Sequence, residues 1–318
     1  MKKAIRVTVH KMIQKILNES ESAAISGKLR ENGIVLDEAL ITFAKRAYPK
    51  EGNVVILAGG SGSGKGFVLN NLLGIEGKVF DTDALKRAYL SSLRLRASLE
   101  QEFGIDLSSF NMQDAASVDQ LHRILSAKGT DKARIATFSA SVAELDRKPN
   151  VIFDVTLSSL TKFHNIVKMV QEMGYEAGSI HIVWVLTEYE VAQKNNASRE
   201  RRVPEIVFND IHNGVSRTVN ELIRLPSLSD YIDGDFWVVF NNREDTELVR
   251  NDDRNLPDGN DGTGKTLGNS PKGGRYVSKM DAVKFKAAGS PAVGYGEIEK
   301  ILFDKINAYL PAQSQWSR

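Results

Sequence analysis

The chain has 318 residues, of which 42% are hydrophobic and 26% charged, so it holds enough apolar material for a large α/β domain with extensions or for two modest domains. It has no cysteine, and its five histidines (His10, His122, His164, His181 and His212) form no pair at helical metal-ligand spacing; this excludes disulfides, thiolate metal sites and thiol nucleophiles and disfavours structural zinc. A formal net charge of +2 does not by itself imply a nucleic-acid partner, and no apolar run reaches the roughly eighteen residues that a membrane helix needs.

Residues 1–50 read as a helical extension. Met12, Ile13, Ile16 and Leu17 fall at amphipathic spacing, and Leu36, Leu40, Ile41 and Phe43 form a second apolar set that ends before Pro49. Such helices either cover an edge of the sheet that follows or form an arm on which a protein partner docks. The basic opening stretch lacks the apolar core and small-residue cleavage site of a secretory signal, which makes the cytoplasm the expected location.

From Asn53 the pattern changes to strands alternating with helical stretches. The strand candidates are Val54–Leu57, Lys78–Phe80, Val151–Phe153, Ile180–Leu186 and Phe236–Phe240, an alternation that predicts a parallel sheet with helices on both faces over residues 51–245. Ligands of such sheets collect at the carboxyl ends of the strands. The first strand runs directly into Gly59, Gly60, Ser61, Gly62, Ser63, Gly64 and Lys65, the pattern G-x-x-x-x-G-K, followed by Gly66 and a helical stretch from Phe67. Glycines let successive backbone N–H groups turn inward on one anionic group, and the helix end adds its positive field, so residues 59–67 predict a cradle for the phosphates of a nucleotide with Lys65 on the outer ones. Gly66 stands where a Ser or Thr normally helps to hold Mg²⁺. Either Ser61, Ser63 or a carboxylate replaces that oxygen, or water does, or the site binds nucleotide without turning it over.

Next comes Val79-Phe80-Asp81-Thr82-Asp83-Ala84-Leu85-Lys86-Arg87, two carboxylates at the mouth of a strand. Transfer of a phosphoryl group to a hydroxyl needs a carboxylate to orient that hydroxyl and take its proton, a role that falls to Asp83, with Asp81 assisting or helping to hold Mg²⁺. The alternative is that these aspartates cap a helix starting near Ala84. Residues 84–149 form a helical insertion bearing Arg87, Arg94, Arg96, Arg123 and Arg134, expected beside the site. Lys86, Arg87 and Thr156 are candidates for substrate contact. A third apolar strand ends in Asp154, the position from which nucleotide-binding sheets offer Mg²⁺ an acid, or else an ordinary turn-initiating aspartate. Arg199, Arg201 and Arg202 then fall within four residues before Pro204, which predicts either a lid near 195–204 that places guanidiniums on the transferring group or a solvated helix face.

Residues 246–318 begin with an Asn-, Asp- and Gly-rich stretch too long for an ordinary connection and end in a helix over Ile298–Leu310. Within the stretch, residues 259–266 match the phosphate-loop pattern in full, Lys265 and Thr266 included, but without a preceding strand or a following helix they read as a flexible loop.

Taken together, the glycine-lysine loop, Asp81-Thr82-Asp83-Ala84-Leu85-Lys86, Phe153-Asp154-Val155-Thr156 and Arg199-Glu200-Arg201-Arg202-Val203-Pro204-Glu205 resemble the zeta-toxin-like branch of P-loop kinases, relatives of polynucleotide and gluconate-type kinases. The resemblance spans about residues 53–240 and implies a three-layer P-loop NTPase fold. It also implies ATP or GTP with Mg²⁺, phosphate binding by Lys65, base catalysis by Asp83, and a clamp from Arg199, Arg201 or Arg202. The acceptor classes it implies are a nucleotide sugar such as UDP-N-acetylglucosamine, or a hydroxyl on nucleic acid, including hydroxymethylated pyrimidines. Gly66, and Asn195 with Asn196 in place of an earlier lid arginine, depart from the family pattern. Extensions like 1–50 and 241–318 occur on phage-encoded kinases of this type, which would place the protein in a host cytoplasm. The competing reading is a nucleotide-binding structural or interaction protein with weak or no catalysis.

Overall fold

The computed structural model describes residues 41–46, 49–111, 114–199, 203–241, 247–250, 275–279, 282–290 and 297–316. Five strands, β1 (Val54–Ala58), β2 (Lys78–Asp81), β3 (Val151–Asp154), β4 (Ile180–Leu186) and β5 (Phe236–Phe240), lie parallel in the order β2-β3-β1-β4-β5. These are the five strands expected from the sequence, three of them at most one residue longer. An antiparallel pair, β6 (Glu247–Arg250) and β7 (Arg275–Lys279), follows in sequence, and β8 (Ala282–Lys286) then joins β5 in the antiparallel sense. None of these last three was expected, since they lie in or after a stretch that reads as loop.

Every residue of β1 and β4 is buried, as covering on both faces demands. Alternation along β1 divides the core. Val54, Ile56 and Ala58 share one apolar layer with Phe163 and Val167, Val215 and Val219, and Leu302 and Ile306. These come from α6 (Leu160–Glu172), α8 (Glu205–Ile223) and α10 (Glu297–Tyr309), which follow in chain order α1 to α5 below, α7 (Tyr189–Ser198) and the short α9 (Leu228–Tyr231). Val55 and Leu57 face the other way, onto Ile41, Phe43, Val68 and Leu72. The result is the three-layer P-loop NTPase arrangement. Burying each such aliphatic side chain is worth about 1.5–3 kcal/mol.

The stretch after the lysine is helical but irregular: a single turn, α1 (Lys65–Phe67), passes into a π-helical turn over Val68–Leu72. Between β2 and β3 the chain forms α2 (Thr82–Ser91), α3 (Leu93–Phe103), α4 (Ala115–Ala127) and α5 (Thr130–Ala143). Tyr89, Leu99, Leu107, Leu121, Ile124 and Leu125 give this insertion an apolar cluster of its own. It reaches the sheet through α5, where Phe138 meets Phe80 edge-on at 5.2 Å and Arg134 lies over the same ring at 5.9 Å. The helix containing Asp83 starts at Thr82, two residues before the expected Ala84.

Residues 1–40, the loop-like pattern at 259–266, and Arg201 and Arg202 lie outside the described residues. No helix of the described residues is long and apolar enough to cross a membrane.

Candidate functional site

Parallel register places the site. Leu57 pairs with Asp154, Asp154 with Asp81, and Ala58 with Trp184, so the carboxyl ends of β1, β2, β3 and β4 meet along one edge, where Gly59–Lys65 leaves the sheet. The glycines of this loop are required by contact as well as by backbone angle. Gly62 has φ +74 and a Cβ there would stand 2.2 Å from the Ala192 carbonyl oxygen, while a Cβ on Gly60 would meet the His212 ring at 2.4 Å. At Gly66 the opposite holds, with nothing within 4 Å of a built Cβ and no positive φ. Its lack of a hydroxyl is therefore not imposed by packing.

Lys65 Nζ donates to the carbonyls of Gly59 (2.9 Å) and Gly60 (3.3 Å) and lies 3.9 Å from Asp154 Oδ1. Both side chains keep some exposure, 16% and 17%. Ser61 and Ser63 are 8% and 1% exposed. The Ser63 hydroxyl donates to the Gly60 carbonyl at 2.9 Å and the Ser61 hydroxyl to Asn196 Oδ1 at 3.0 Å. With those hydroxyls turned to protein partners, the carboxylates are the better oxygens for a cation. Asp81 and Asp154 sit side by side on neighbouring strands, and Mg²⁺ is commonly bound by one or two carboxylates with phosphate and water oxygens completing its shell. The residues present fit that ion. Arg87 approaches Asp81 at 3.4 Å, whereas Lys86 is only 4% exposed. Asp83 belongs to the first turn of α2 by its backbone. Thr156 is half-buried in the loop after β3, next to Leu157, which is fully buried at φ +51, a conformation rare for leucine and kept only where the surroundings enforce it.

Three side chains hold the loop from behind. His212 on α8, 8% exposed, donates from Nε2 to the Ser61 carbonyl at 2.9 Å; burial holds its pKa below the ordinary imidazole value, the bond to Ser61 opposes this, and the nearby Lys65 charge reinforces it. Asn195 Nδ2 donates to the Gly62 carbonyl at 3.0 Å. Asn196 accepts from Ser61 and, at 3.1 Å, from Val203 N, and donates to the Val203 carbonyl at 2.9 Å, which brings the two ends of the arginine segment together. Arg199 is exposed just past α7. The two asparagines that stand where an arginine is expected are thus braces of the phosphate loop.

Thr187 and Asn241, the residues that follow β4 and β5, both donate to the Ser63 carbonyl, at 2.7 and 2.9 Å. Asn241 Oδ1 is buried without a hydrogen-bond partner among the described residues, an unmet acceptor beside the cradle. Sequence reasoning passes over His212, Thr187 and Asn241; the signal for the last two was a polar residue directly after an apolar strand, and for His212 there was none.

A family described as an AAA domain matches residues 54–218, which include the loop, Asp81, Asp83, Asp154, the arginine segment and His212. A search of curated proteins finds no match. Among solved structures, the native AvrRxo1-ORF1:-ORF2 complex matches at 14% identity and TM-score 0.34, covering 73% of this chain and 63% of that one. The same complex with ATP matches at 14% and 0.32, covering 72% and 62%. A structure of the PezAT chromosomal toxin-antitoxin system of Streptococcus pneumoniae matches at 15% and 0.34, covering 70% and 76%. The chain thus spans less than two thirds of the AvrRxo1 chain it matches.

Proposed function

The chain belongs to this family of AAA domains, and on that premise we propose that it is an ATP- or GTP-dependent phosphotransferase acting on a hydroxyl. One observation carries the reading: a glycine loop at the carboxyl end of the central strand, with Lys65 over its carbonyls and Asp154 3.9 Å from that ammonium. When nucleotide binds, Lys65 exchanges the Gly59 and Gly60 carbonyls for phosphate oxygens, and loop N–H groups donate to the same oxygens. Asp83 takes the proton of the acceptor hydroxyl as its oxygen attacks the γ-phosphorus. The bond to the β-phosphate oxygen breaks, and the nucleoside diphosphate leaves. Arg199, Arg201 and Arg202 stabilise the charge spread over the equatorial oxygens. Asp154 and Asp81 are the residues that would hold Mg²⁺, which would supply positive charge to offset that of the phosphates. The acceptor is a nucleotide sugar or a nucleic-acid hydroxyl, and the salt dependence of acceptor binding separates them: steep for a polynucleotide, shallow for a sugar nucleotide.

The test is incubation with γ-labelled ATP or GTP and a panel of such acceptors, with Asp83→Asn in parallel. Label transfer that Asp83→Asn abolishes supports the reading. Transfer unchanged in Asp83→Asn removes Asp83 as the base, and binding of nucleotide without transfer or hydrolysis makes the chain a nucleotide-binding interaction protein.

A further inference from the structure

The helix that braces the phosphate loop is itself held from its far side. His212 and Ser216 lie one turn apart on α8, and Ser216 is 1% exposed. Its hydroxyl donates to the Ser314 carbonyl at 3.0 Å and accepts from Trp316 Nε1 at 2.8 Å, while the Ser216 carbonyl accepts from the same indole at 3.2 Å. Asn213, between His212 and Ser216, is bonded to the Ser314 hydroxyl. Trp316, 6% exposed, is fixed at both main-chain groups by Asn307 of α10, at 2.7 Å to its N–H and 3.1 Å to its carbonyl. Its ring stacks on Trp184 of β4 at 5.6 Å and meets Phe303 edge-on at 5.0 Å. Trp184 in turn pairs in register with Ala58, the residue before Gly59. Between the two polar anchors, a Cβ on Gly214 would stand 2.8 Å from the Ser158 carbonyl, so α8 also presses on the loop that carries Thr156 and Leu157.

We propose that the segment Ala312–Trp316 is a positioning element of the phosphate cradle: by locking Ser216 and Asn213 it sets the depth of α8, and through His212, which packs over Gly60 and bonds the Ser61 carbonyl, it fixes the Ser61–Gly62 peptide of the loop. The His212 ring fills the space over Gly60, and a close-packed contact transmits a small shift of the helix directly to the loop. Trp316 touches neither phosphate nor acceptor in this scheme; it acts through His212. The affinity arm below rests on the nucleotide reading given above, and the exchange arm does not.

The experiment compares Trp316→Ala, His212→Ala and the double variant in the full chain, at a temperature where circular dichroism shows each folded. Trp316→Phe, which keeps the ring packing and loses the N–H bond to Ser216, guards against a simple failure to fold. Two quantities are read: amide hydrogen exchange at Ser61–Lys65 without nucleotide, and the Kd for ATP with magnesium. Expected is exchange faster by about tenfold and ATP binding weaker by about tenfold in Trp316→Ala, a smaller change of the same sign in Trp316→Phe, and no further loss in the double variant beyond His212→Ala alone. Additive effects of Trp316→Ala and His212→Ala, or loop exchange that Trp316→Ala leaves unchanged, would overturn the proposal. If the unaltered chain binds no ATP, the nucleotide reading falls, and the exchange cycle still decides whether Trp316 acts through His212.

Discussion

The two ends of the parallel sheet bury polar groups in opposite ways. At the carboxyl end, side chains hold backbone carbonyls: the neutral His212 on Ser61, Asn195 on Gly62, Thr187 and Asn241 on Ser63, and the charged Lys65 on Gly59 and Gly60. The charged Lys65 and Asp154 are left partly open. At the amino end, Asp235 and Lys286 are buried and each meets an opposite charge. Asp235, 1% exposed, accepts from Ala44 N at 2.5 Å and Ala288 N at 2.9 Å, with Lys284 at 3.7 Å and His181 at 3.9 Å. Lys286, also 1% exposed, lies 2.6 Å from Asp233. A pole whose charges already have protein partners serves stability, because freeing them costs several kcal/mol. A pole whose ion pair keeps some exposure can trade its protein partners for a ligand at lower cost, because its charges are already partly solvated.

The comparison breaks if variants at the two ends give the same phenotype. The largest expected separation comes from Lys65→Met, which lowers phosphoryl transfer by about 10³-fold, or about 4 kcal/mol of transition-state stabilisation, while the urea midpoint stays near that of the unaltered chain. Asp235→Ala does the reverse: unfolding free energy falls by about 3 kcal/mol, because two backbone donors lose their acceptor and the partly buried Lys284 loses its counter-charge, and the Kd for ATP measured in the folded range is unchanged. Asn196→Ala should weaken ATP binding by about tenfold, roughly 1.4 kcal/mol, since Ser61 and Val203 both lose its carbonyl.

A pH series sharpens the same contrast. His181 at the amino end accepts from Asp235 N at Nδ1, 2.8 Å, and donates from Nε2 to Asn53 at 3.2 Å, so its neutral form is built in. Burial pushes its pKa down from 6.5 to about 4, Asp235 opposing and Lys284 and Lys286 assisting. With the folded value depressed, the stability it contributes is complete above about pH 6.5 and is lost as pH falls toward about 4, at no more than about 1.4 kcal/mol per pH unit. Urea denaturation across that range should show this loss, and His181→Asn should flatten it. The smallest effect belongs to Gly66→Ser. It relieves a helical glycine by about 0.3–0.5 kcal/mol, seen as a slight rise in Tm, and the open space there admits the hydroxyl. Turnover at limiting magnesium should rise if the missing oxygen matters to the cation.

Legibility from sequence followed the range of the interactions. The strands at Val54, Val151, Ile180 and Phe236 were readable because apolar runs answer to local rules, and strand, turn, lysine and helix pointed to the cradle in the same way. The three strands after residue 246 were missed, since an edge strand such as Ala282–Lys286, with Lys284 and Lys286 in it, carries no continuous apolar run. The arginine segment was visible as composition, but the role of the neighbouring Asn195 and Asn196 was not, because an asparagine's partner depends on which carbonyl faces it.

By itself, then, the sequence determined the parallel-sheet core of P-loop type, the glycine-lysine loop and the aspartates at the ends of β2 and β3, each a consequence of residues close together in the chain. Only the tertiary structure decided what holds that loop in place. His212 and Ser61 are 151 positions apart, and Trp316 and Ser216 are 100 apart. Until helix and sheet are packed at contact distance, a polar residue on an apolar helix face has no defined partner, and its hydrogen bond exists only as a property of the assembled layers.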